Sequence, residues 1–271
     1  MGVGIQITVL GSGSAGNCTL VETETTRVLV DAGLSARQIT QRLASVGRQV
    51  VDIQGILLTH EHSDHIRALG VLCKANDCAV YANRLTAEAV ADNPDWNGKV
   101  RVNWRLFTTG QPFEVGDLQV EPFSVSHDAY DPVGFVLRSR THSVGVVTDL
   151  GHATKLVVER LKATDAVVIE SNHDLKLLQE DSSRPWALKQ RIMSRHGHLS
   201  NDAAATLVGE LASDQLRHVL LAHLSRDCNR PELARDAVGC KLRQIGASHI
   251  AVTVTSQDVP TATISVMGNK T

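Results

Sequence analysis

The chain has 271 residues, of which 42% are hydrophobic, so it is long enough to bury one large core, and we expect residues 1–271 to form a single domain. A formal net charge of −2 excludes a generally basic surface, so a polyanion would have to bind a local patch. No run of about 18 apolar residues predicts a membrane span, and the first ten residues lack signal-peptide features, so we expect no membrane contact and a cytoplasmic location.

The first part of the chain predicts strands joined by tight turns. The segments ITVLGSGSAGN, TLVETE and RVLVDAG are apolar runs separated by glycine and asparagine. The glycines of residues 11–17 fit neither the dinucleotide-binding spacing nor the P-loop spacing, so we expect a turn that lines a site with Ser12 or Ser14. A helix is predicted over residues 34–47, with Ser35 as its N-cap.

The segment HEHSDH, residues 60–65, places three histidines and two acids directly after an apolar run. We predict a buried strand over residues 53–60 and a helix over residues 64–76. The apolar side of that helix is expected to carry Ile66, Leu69, Val71 and Leu72. The histidines and acids therefore lie on a loop between a strand and a helix.

This loop has the composition of a metal site. His60 and His62 are two residues apart and can point the same way from extended backbone, while Asp64 and His65 can face back from the start of the helix. Neutral imidazoles suit zinc, iron or manganese, and a carboxylate compensates the charge of a second divalent ion. One loop could thus contribute to two metal pockets.

Strands interspersed with helices are predicted for the rest of the chain. Strands are expected within residues 113–127, 134–151, 165–173 and 216–223, and helices over residues 201–213 and 231–246. This alternation indicates a layered α/β protein. The least regular stretch, residues 172–200, is predicted to be an excursion from the core that lines the substrate cleft.

Four further polar residues each end an apolar strand. They are Asp31 after VLV, His127 after FSVS, Asp149 after GVVT and His223 after VLLA. Layered sheets carry functional residues on the loops at one edge, so these distant positions can converge on the HEHSDH loop.

Taken in order, Asp31, HEHSDH, His127, Asp149 and His223 resemble the five motifs of the metallo-β-lactamase superfamily of metallohydrolases, nearly from end to end. The segments GSGSAGNCTLVE, TDLGH, ESNHD and GHLSND are similar to its YycJ/WalJ-like branch, whose proposed activity is exonucleolytic cleavage of DNA. The resemblance implies a four-layer αβ/βα sandwich, in which helices flank two mixed β-sheets and the site lies at the edge between them.

The resemblance also implies two divalent metal ions, zinc in the first place, with manganese or iron as alternatives. It assigns the first metal to His60, His62 and His127, and the second to Asp64, His65 and His223. Asp149 would bridge the two ions. Asp31 would accept a hydrogen bond that orients a ligand histidine such as His60 or His65.

Two such ions, about 3.5 to 4 Å apart, can share one water molecule and lower its pKa towards neutrality, so the expected nucleophile is a metal-bridging hydroxide. Asp64 is the candidate catalytic residue that orients it. Within GHLSND, Ser200 is an ordinary N-cap for the following helix, whereas His198 is a candidate phosphate ligand or leaving-group acid.

The fold alone does not define the substrate, since related sites act on lactams, thioesters and phosphodiesters. A phosphodiester is favoured by the full ligand set and by the basic segment RPWALKQRIMSRHGH, whose Arg191 and Arg195 could contact a DNA backbone while Trp186 stacks on a base. Ser14 and His173 are the other candidate substrate-binding residues. The segment could equally be the solvated face of a helix.

The preferred hypothesis is therefore a metal-dependent phosphodiesterase or nuclease with a DNA substrate. The alternative enzyme is a glyoxalase-type thioesterase or a small-molecule phosphodiester hydrolase, which a narrow and closed pocket would favour. A metal-dependent binding module without turnover would be favoured if ligand residues were missing from the motifs, and all of them are present. The oligomeric state is left open.

Overall fold

The computed structural model describes residues 4–76, 78–93 and 101–266. Over these residues the chain forms fourteen strands: β1 Ile5–Gly11, β2 Cys18–Glu22, β3 Arg27–Val30, β4 Gly55–Leu57, β5 Ala79–Asn83, β6 Asn103–Phe107, β7 Phe113–Val115, β8 Leu118–Ser124, β9 Val133–Arg138, β10 Ser143–Val147, β11 Ala166–Glu170, β12 His218–Ala222, β13 Ala251–Val254 and β14 Ile264–Val266. The nine α-helices of the same residues are α1 Ala36–Ser45, α2 Ser63–Ile66, α3 Leu69–Ala75, α4 Arg84–Ala91, α5 Lys155–Leu161, α6 Leu175–Glu180, α7 Trp186–Ile192, α8 Asn201–Leu211 and α9 Pro231–Gln244.

The strands form two mixed, seven-stranded sheets. The first has the order β14-β1-β2-β3-β4-β5-β6 and changes from antiparallel to parallel pairing at β3. The second has the order β13-β12-β11-β10-β9-β8-β7 and makes the same change at β10. One apolar cluster joins the two sheets, and two others join their outer faces to helices. The predicted four-layer αβ/βα sandwich is confirmed.

Strand β11 shows why the central strands lack polar residues. Ala166 and Val168 pack against the other sheet, while Val167 and Ile169 pack against the helices. Successive side chains of a strand point to opposite faces, so a strand covered on both sides needs an uninterrupted apolar run. Polar side chains are therefore displaced to the strand ends, which is where the site residues lie.

The strands and the Ser35 N-cap predicted for the first part of the chain are confirmed, whereas the helix predicted over residues 34–47 is shorter, Ala36–Ser45. Strands β1, β2 and β3 pair antiparallel, and the turn of residues 11–17 joins the first two. Ser35 caps α1 by accepting a hydrogen bond from the backbone N–H of Gln38, whose side chain in turn bonds to the backbone N–H of Ser35.

The predicted strand over residues 53–60 and helix over residues 64–76 have the wrong extent. Strand β4 is only Gly55–Leu57, and the helix is divided into α2 and α3. The backbone of Ala32 causes the division, because its N–H donates to the carbonyl of His65 and its carbonyl accepts from the N–H of Ala68. Val71 is 59% exposed, so it does not belong to the buried side.

The excursion of residues 172–200 leaves the second sheet after β11 and carries α6 and α7. A β-bridge between His173 and Ser200 joins its two ends. Within the described ranges, no helix has the length and apolar character needed to cross a membrane.

The loop after β3 packs so closely on the HEHSDH segment that residue 33 must be glycine. A Cβ atom on Gly33 would overlap the carbonyl oxygen of Asp64. That carbonyl accepts a hydrogen bond from the backbone N–H of Asn17, whose own carbonyl accepts from Gly33. Gly33 therefore allows three separate loops to meet beside the first turn of α2.

Replacing Gly33 with alanine should destabilise the protein by about 1–3 kcal/mol or more, because backbone on both sides would have to move. Thermal unfolding should show the midpoint lowered by several degrees. Gly239→Ala is the matched control, since its Cβ would approach only the flexible end of Arg243 and alanine favours a helix interior. Equal stability of the two variants would contradict this account of the loop.

Candidate metal centre

Three non-glycine residues of the described chain have φ in the left-handed region: Asp31 at 61°, Asp149 at 56° and His223 at 56°. Each lies within two residues of the end of its strand, β3, β10 or β12. This conformation costs an L-residue on the order of 1–3 kcal/mol, and such strain is concentrated at functional sites. All three were predicted from the sequence as polar residues ending apolar strands, and the structure brings them to one edge of the sandwich.

A first group of potential ligands consists of His60, His62 and His127, whose ring nitrogens lie within 4.8 Å of one another. Nδ1 of His62 is 3.4 Å from Nε2 of His127. The other ring nitrogen of His127 donates to the carbonyl of Gly197 at 3.2 Å, and Nδ1 of His60 bonds to the hydroxyl of Thr59 at 2.9 Å. Each of these two rings is thus held from outside and presents its second nitrogen to the group.

A second group consists of Asp64, His65 and His223. Oδ2 of Asp64 is 3.5 Å from Nε2 of His65 and 3.7 Å from Nε2 of His223. Asp149 lies between the two groups, with Oδ2 3.0 Å from His65 Nε2 and Oδ1 3.7 Å from His127 Nε2. The seven predicted ligands therefore form two adjacent clusters with one carboxylate between them.

Asp31 contacts this centre from behind. Its carboxylate accepts hydrogen bonds from Nδ1 of His65 at 2.8 Å and from the backbone N–H of Thr59 at 2.9 Å. With Nδ1 of His65 donating to Asp31, Nε2 is the nitrogen directed at Asp64 and Asp149, and in the neutral ring it would carry the lone pair that a metal binds.

Glu170 has the same relation to His223, and sequence reasoning assigned it no role. It is fully buried, and its Oε1 accepts from Nδ1 of His223 at 2.6 Å and from Nδ1 of His198 at 2.8 Å. Oε2 accepts from the backbone N–H groups of Leu150 and Leu199. Burial raises the pKa of Glu170, but the charge of His198 and its hydrogen bond outweigh that effect and lower it to about 2. Its position at the end of the apolar run AVVIE is the sequence feature that could have indicated a role at the site.

The arrangement passes a test of fit for metal ions. Nε2 of His60 and Nε2 of His223 are buried, and among the described residues neither has a hydrogen-bond partner. Unsatisfied buried polar atoms are costly, whereas nitrogen and carboxylate oxygen are the donors that divalent transition metals bind. The ligand types, their spacing and the orphaned atoms all fit divalent cations.

The histidines and the carboxylate of the centre shift one another's pKa values because they lie close together. Burial lowers the pKa of His60, and the nearby charge of His65 lowers it further. Burial also acts to lower the pKa of His65 and His223, but the carboxylate of Asp149 outweighs it, and both values lie well above the usual one. Burial raises the pKa of Asp149, yet the charges of His223 and His65 hold it well below its usual range. The centre therefore holds an ionised carboxylate that attracts positive charge.

A cavity of about 220 Å³ opens beside the centre and is lined by Ser14, Asp128, Arg191, Gly197 and His198, among others. A larger cavity of about 690 Å³ adjoins it, and both include Ser14 and Ser225 in their walls. These two adjoining cavities are together called the groove below. Ser12 also borders the larger cavity, but it is only 5% exposed, and its hydroxyl accepts a hydrogen bond from the backbone N–H of His223.

The other candidate substrate residues are distributed differently. His173 is only 1% exposed, and neither ring nitrogen has a partner among the described residues. It is therefore in the interior and does not line the cavity. Trp186 is 60% exposed on α7 but is not among the residues that line the cavity. His198 does line it, with Nδ1 held by Glu170.

The basic segment offers fewer free cations than its sequence suggests. Arg184 pairs with Asp181 and Asp227, and the ammonium group of Lys189 bonds to the carbonyl of Gln179. Arg191 and Arg195 are the two cations that were predicted to contact a DNA backbone. Arg191 pairs with Asp128 at 2.5 Å, whereas Arg195 is exposed and has no ion pair within the described part of the chain.

Comparison with known proteins identifies the family. A family model described as "Beta-lactamase superfamily domain" matches residues 26–224. Exodeoxyribonuclease YycJ of Bacillus anthracis is 38% identical over 245 residues, which cover 90% of this chain and 91% of that relative. The chain belongs to the metallo-β-lactamase superfamily. Exodeoxyribonuclease WalJ of Streptococcus pneumoniae serotype 2 is 37% identical over 243 residues, 89% of this chain and 90% of the relative, so the YycJ/WalJ-like branch is also confirmed.

Solved structures agree on the metallo-β-lactamase fold. The metallo-β-lactamase fold protein YhfI from Bacillus subtilis superposes with a TM-score of 0.73 over 97% of this chain and 99% of its own, at 16% identity. Yeast PDE1 superposes with a TM-score of 0.72 over 95% of this chain and 99% of its own, at 14% identity. At such low identity, these similarities establish the fold alone.

Replacing Asp149 with asparagine should reduce metal binding, because the carboxylate between the two clusters loses its charge while keeping its shape. Elemental analysis of protein purified without chelators should give about two transition-metal ions per wild-type chain and fewer for Asp149→Asn. The exposed Asp214→Asn is the matched control and should retain the wild-type content. Retention of both ions by Asp149→Asn would exclude a bridging role.

Proposed function

We propose that this protein is a metal-dependent hydrolase that cleaves the phosphodiester bonds of DNA from a strand end. The observation that carries the proposal is the intact set of seven ligand positions, next to a cavity that His198 lines. The two relatives named exodeoxyribonucleases, which match about nine-tenths of the chain, support the choice of DNA as substrate. A DNA substrate also agrees with the cytoplasmic location expected from the sequence.

The proposed cofactors are two divalent metal ions, zinc in the first place, with manganese or iron as alternatives. His60, His62 and His127 would hold one ion, Asp64, His65 and His223 would hold the other, and Asp149 would be shared. When bound, such a pair supplies Lewis-acid stabilisation of a phosphoryl group and activates water near neutral pH.

Two buried carboxylates, Asp31 and Glu170, hold the rings of the proposed ligand histidines in place. Asp31 and Glu170 each accept from the Nδ1 atom of a ligand histidine, and Glu170 is fully buried. Such hydrogen bonds select the tautomer, so that Nε2 keeps its lone pair, and they restrict rotation of the ring. We assign both carboxylates to positioning and not to contact with the substrate.

His198 is the proposed proton donor to the leaving oxygen. Its Nδ1 bonds to Glu170, and the side chain lines the cavity beside the centre. A proton on Nε2 is then available to the oxygen that leaves phosphorus, and the adjacent carboxylate stabilises the charged imidazolium. Asp64 is proposed to orient the attacking water.

The groove favours a polymeric substrate over a small one. The two adjoining cavities share walls at Ser14 and Ser225, so a strand bound beside His198 has room to continue into the larger cavity. On one side, Arg191 and Arg195 can each neutralise a phosphate, and Trp186 is exposed on the same helix as Arg191. A phosphate that binds Arg191 would replace its present partner, Asp128.

A panel of substrates tests the proposal. Purified protein loaded with zinc, manganese or iron is incubated with end-labelled single- and double-stranded DNA, RNA, a chromogenic phosphodiester and a thioester. DNA should be shortened progressively from one end. Asp64→Ala should reduce turnover by about 100-fold or more, since a proton-orienting residue contributes on the order of 10²–10⁴-fold, while Asp214→Asn should be unaffected.

Thioester hydrolysis without DNA cleavage under any of these metals would replace the proposal with the glyoxalase-type alternative. Cleavage of the chromogenic phosphodiester alone would favour a small-molecule hydrolase. Both results would leave the fold and family membership unchanged.

A further inference from the structure

We propose that Tyr130 is a base-stacking residue, on which a nucleobase next to the scissile phosphate lies during hydrolysis. This inference rests on the proposed DNA substrate and adds a specific contact to it. The residue lies outside every motif discussed above, three positions after His127.

The exposure of Tyr130 is unusual for this protein. The chain has only nine phenylalanine, tyrosine and tryptophan residues, and most of those that the structure describes are buried or half-buried. Among the described ones, only Tyr130 at 71% and Trp186 at 60% are exposed. An exposed aromatic ring contributes little to folding, and close to the metal-ligand loop its face is available to a ligand.

The backbone of Tyr130 is attached to the metal-ligand loop. Its N–H donates to Oε1 of Glu61 at 3.0 Å, and Glu61 stands between His60 and His62 in the HEHSDH segment. Tyr130 is thereby anchored to the loop that supplies ligands to both clusters. Trp186 lies on α7 in the excursion, and it has no such attachment among the described hydrogen bonds.

The rest of the loop is fixed on both sides of Tyr130. Asp128 pairs with Arg191 of α7. The carbonyl of Asp131 accepts from the side-chain amide of Asn83 at 2.7 Å, and its carboxylate accepts from the hydroxyl of Thr109 at 2.9 Å. Side chains from separate elements therefore hold a short loop whose central aromatic ring is left in solvent. Such preorganisation reduces the entropy lost when a ligand binds.

Stacking on an aromatic ring is the interaction that single-stranded nucleic acids make without regard to sequence. Every base has a π-face, and each stacked base contributes about 1–3 kcal/mol. With a net charge of −2, this protein has no general attraction for DNA, so stacking beside the centre would supply local affinity. A small phosphodiester without a base would gain nothing from it.

The test compares steady-state cleavage of a single-stranded oligonucleotide by wild type, Tyr130→Ala and Tyr130→Phe. Tyr130→Ala should raise KM about 5- to 150-fold, the equivalent of one stacked base, with kcat and metal content within threefold of wild type. Tyr130→Phe keeps the ring and should resemble wild type. Val51→Ala, a comparably exposed apolar residue at 69% in the turn before β4, is the matched control.

A second arm removes the base instead of the ring. Three oligonucleotides are tested, each with a single abasic nucleotide at a different one of the three terminal positions. With the abasic nucleotide at one of these positions, the KM of wild type should rise by the factor found for Tyr130→Ala on the intact oligonucleotide. On that abasic substrate, Tyr130→Ala and wild type should have the same KM.

Three results would overturn the inference. The first is an unchanged KM in Tyr130→Ala. The second is an equal rise of KM in Tyr130→Phe, which would indicate a contact through the hydroxyl. The third is a rise of KM in Tyr130→Ala that is as large on every abasic substrate as on the intact one. If wild type cleaves DNA normally in these cases, the proposed function stands and only the stacking is wrong. A wild type that cleaves no DNA overturns both.

Discussion

The burial of imidazole nitrogens and carboxylate oxygens at the edge between two sheets is the constraint on which the rest of the structure depends. Nε2 of His60 and Nε2 of His223 lack hydrogen-bond partners among the described residues, although both atoms are buried. Left unsatisfied, such atoms oppose folding, whereas bound cations would satisfy them. The left-handed backbone at Asp31, Asp149 and His223 adds a further cost at the same edge. Metal binding is therefore expected to stabilise the fold as well as to supply its chemistry.

Much of this arrangement could be predicted from the sequence, because central strands such as β3, β10, β11 and β12 are covered on both faces and have apolar interiors that end in polar residues. That rule located Asp31, His127, Asp149 and His223 without any coordinates, and the spacing within HEHSDH supplied the other candidates. The order of these motifs also indicated the family and hence the four-layer sandwich. Local patterns are sufficient here because the site is built from the ends of regular elements.

Contacts between distant segments could not be predicted. The division of α2 from α3 is made by the backbone of Ala32, and no glycine or proline between the two helices indicates it. Glu170 was missed because its importance lies in the two imidazoles that it joins, which come from separate parts of the chain. The basic segment was overestimated for a similar reason, since Arg184 and Lys189 find partners that its own sequence does not reveal.

The most direct test of the two-cluster centre is anomalous diffraction from crystals of the metal-loaded protein. The account predicts two separate peaks per chain about 3.5–4 Å apart. One peak should be bounded by His60, His62 and His127, the other by Asp64, His65 and His223, and the carboxylate of Asp149 should lie between them. A single peak at full loading, or a second peak remote from His223, would contradict it.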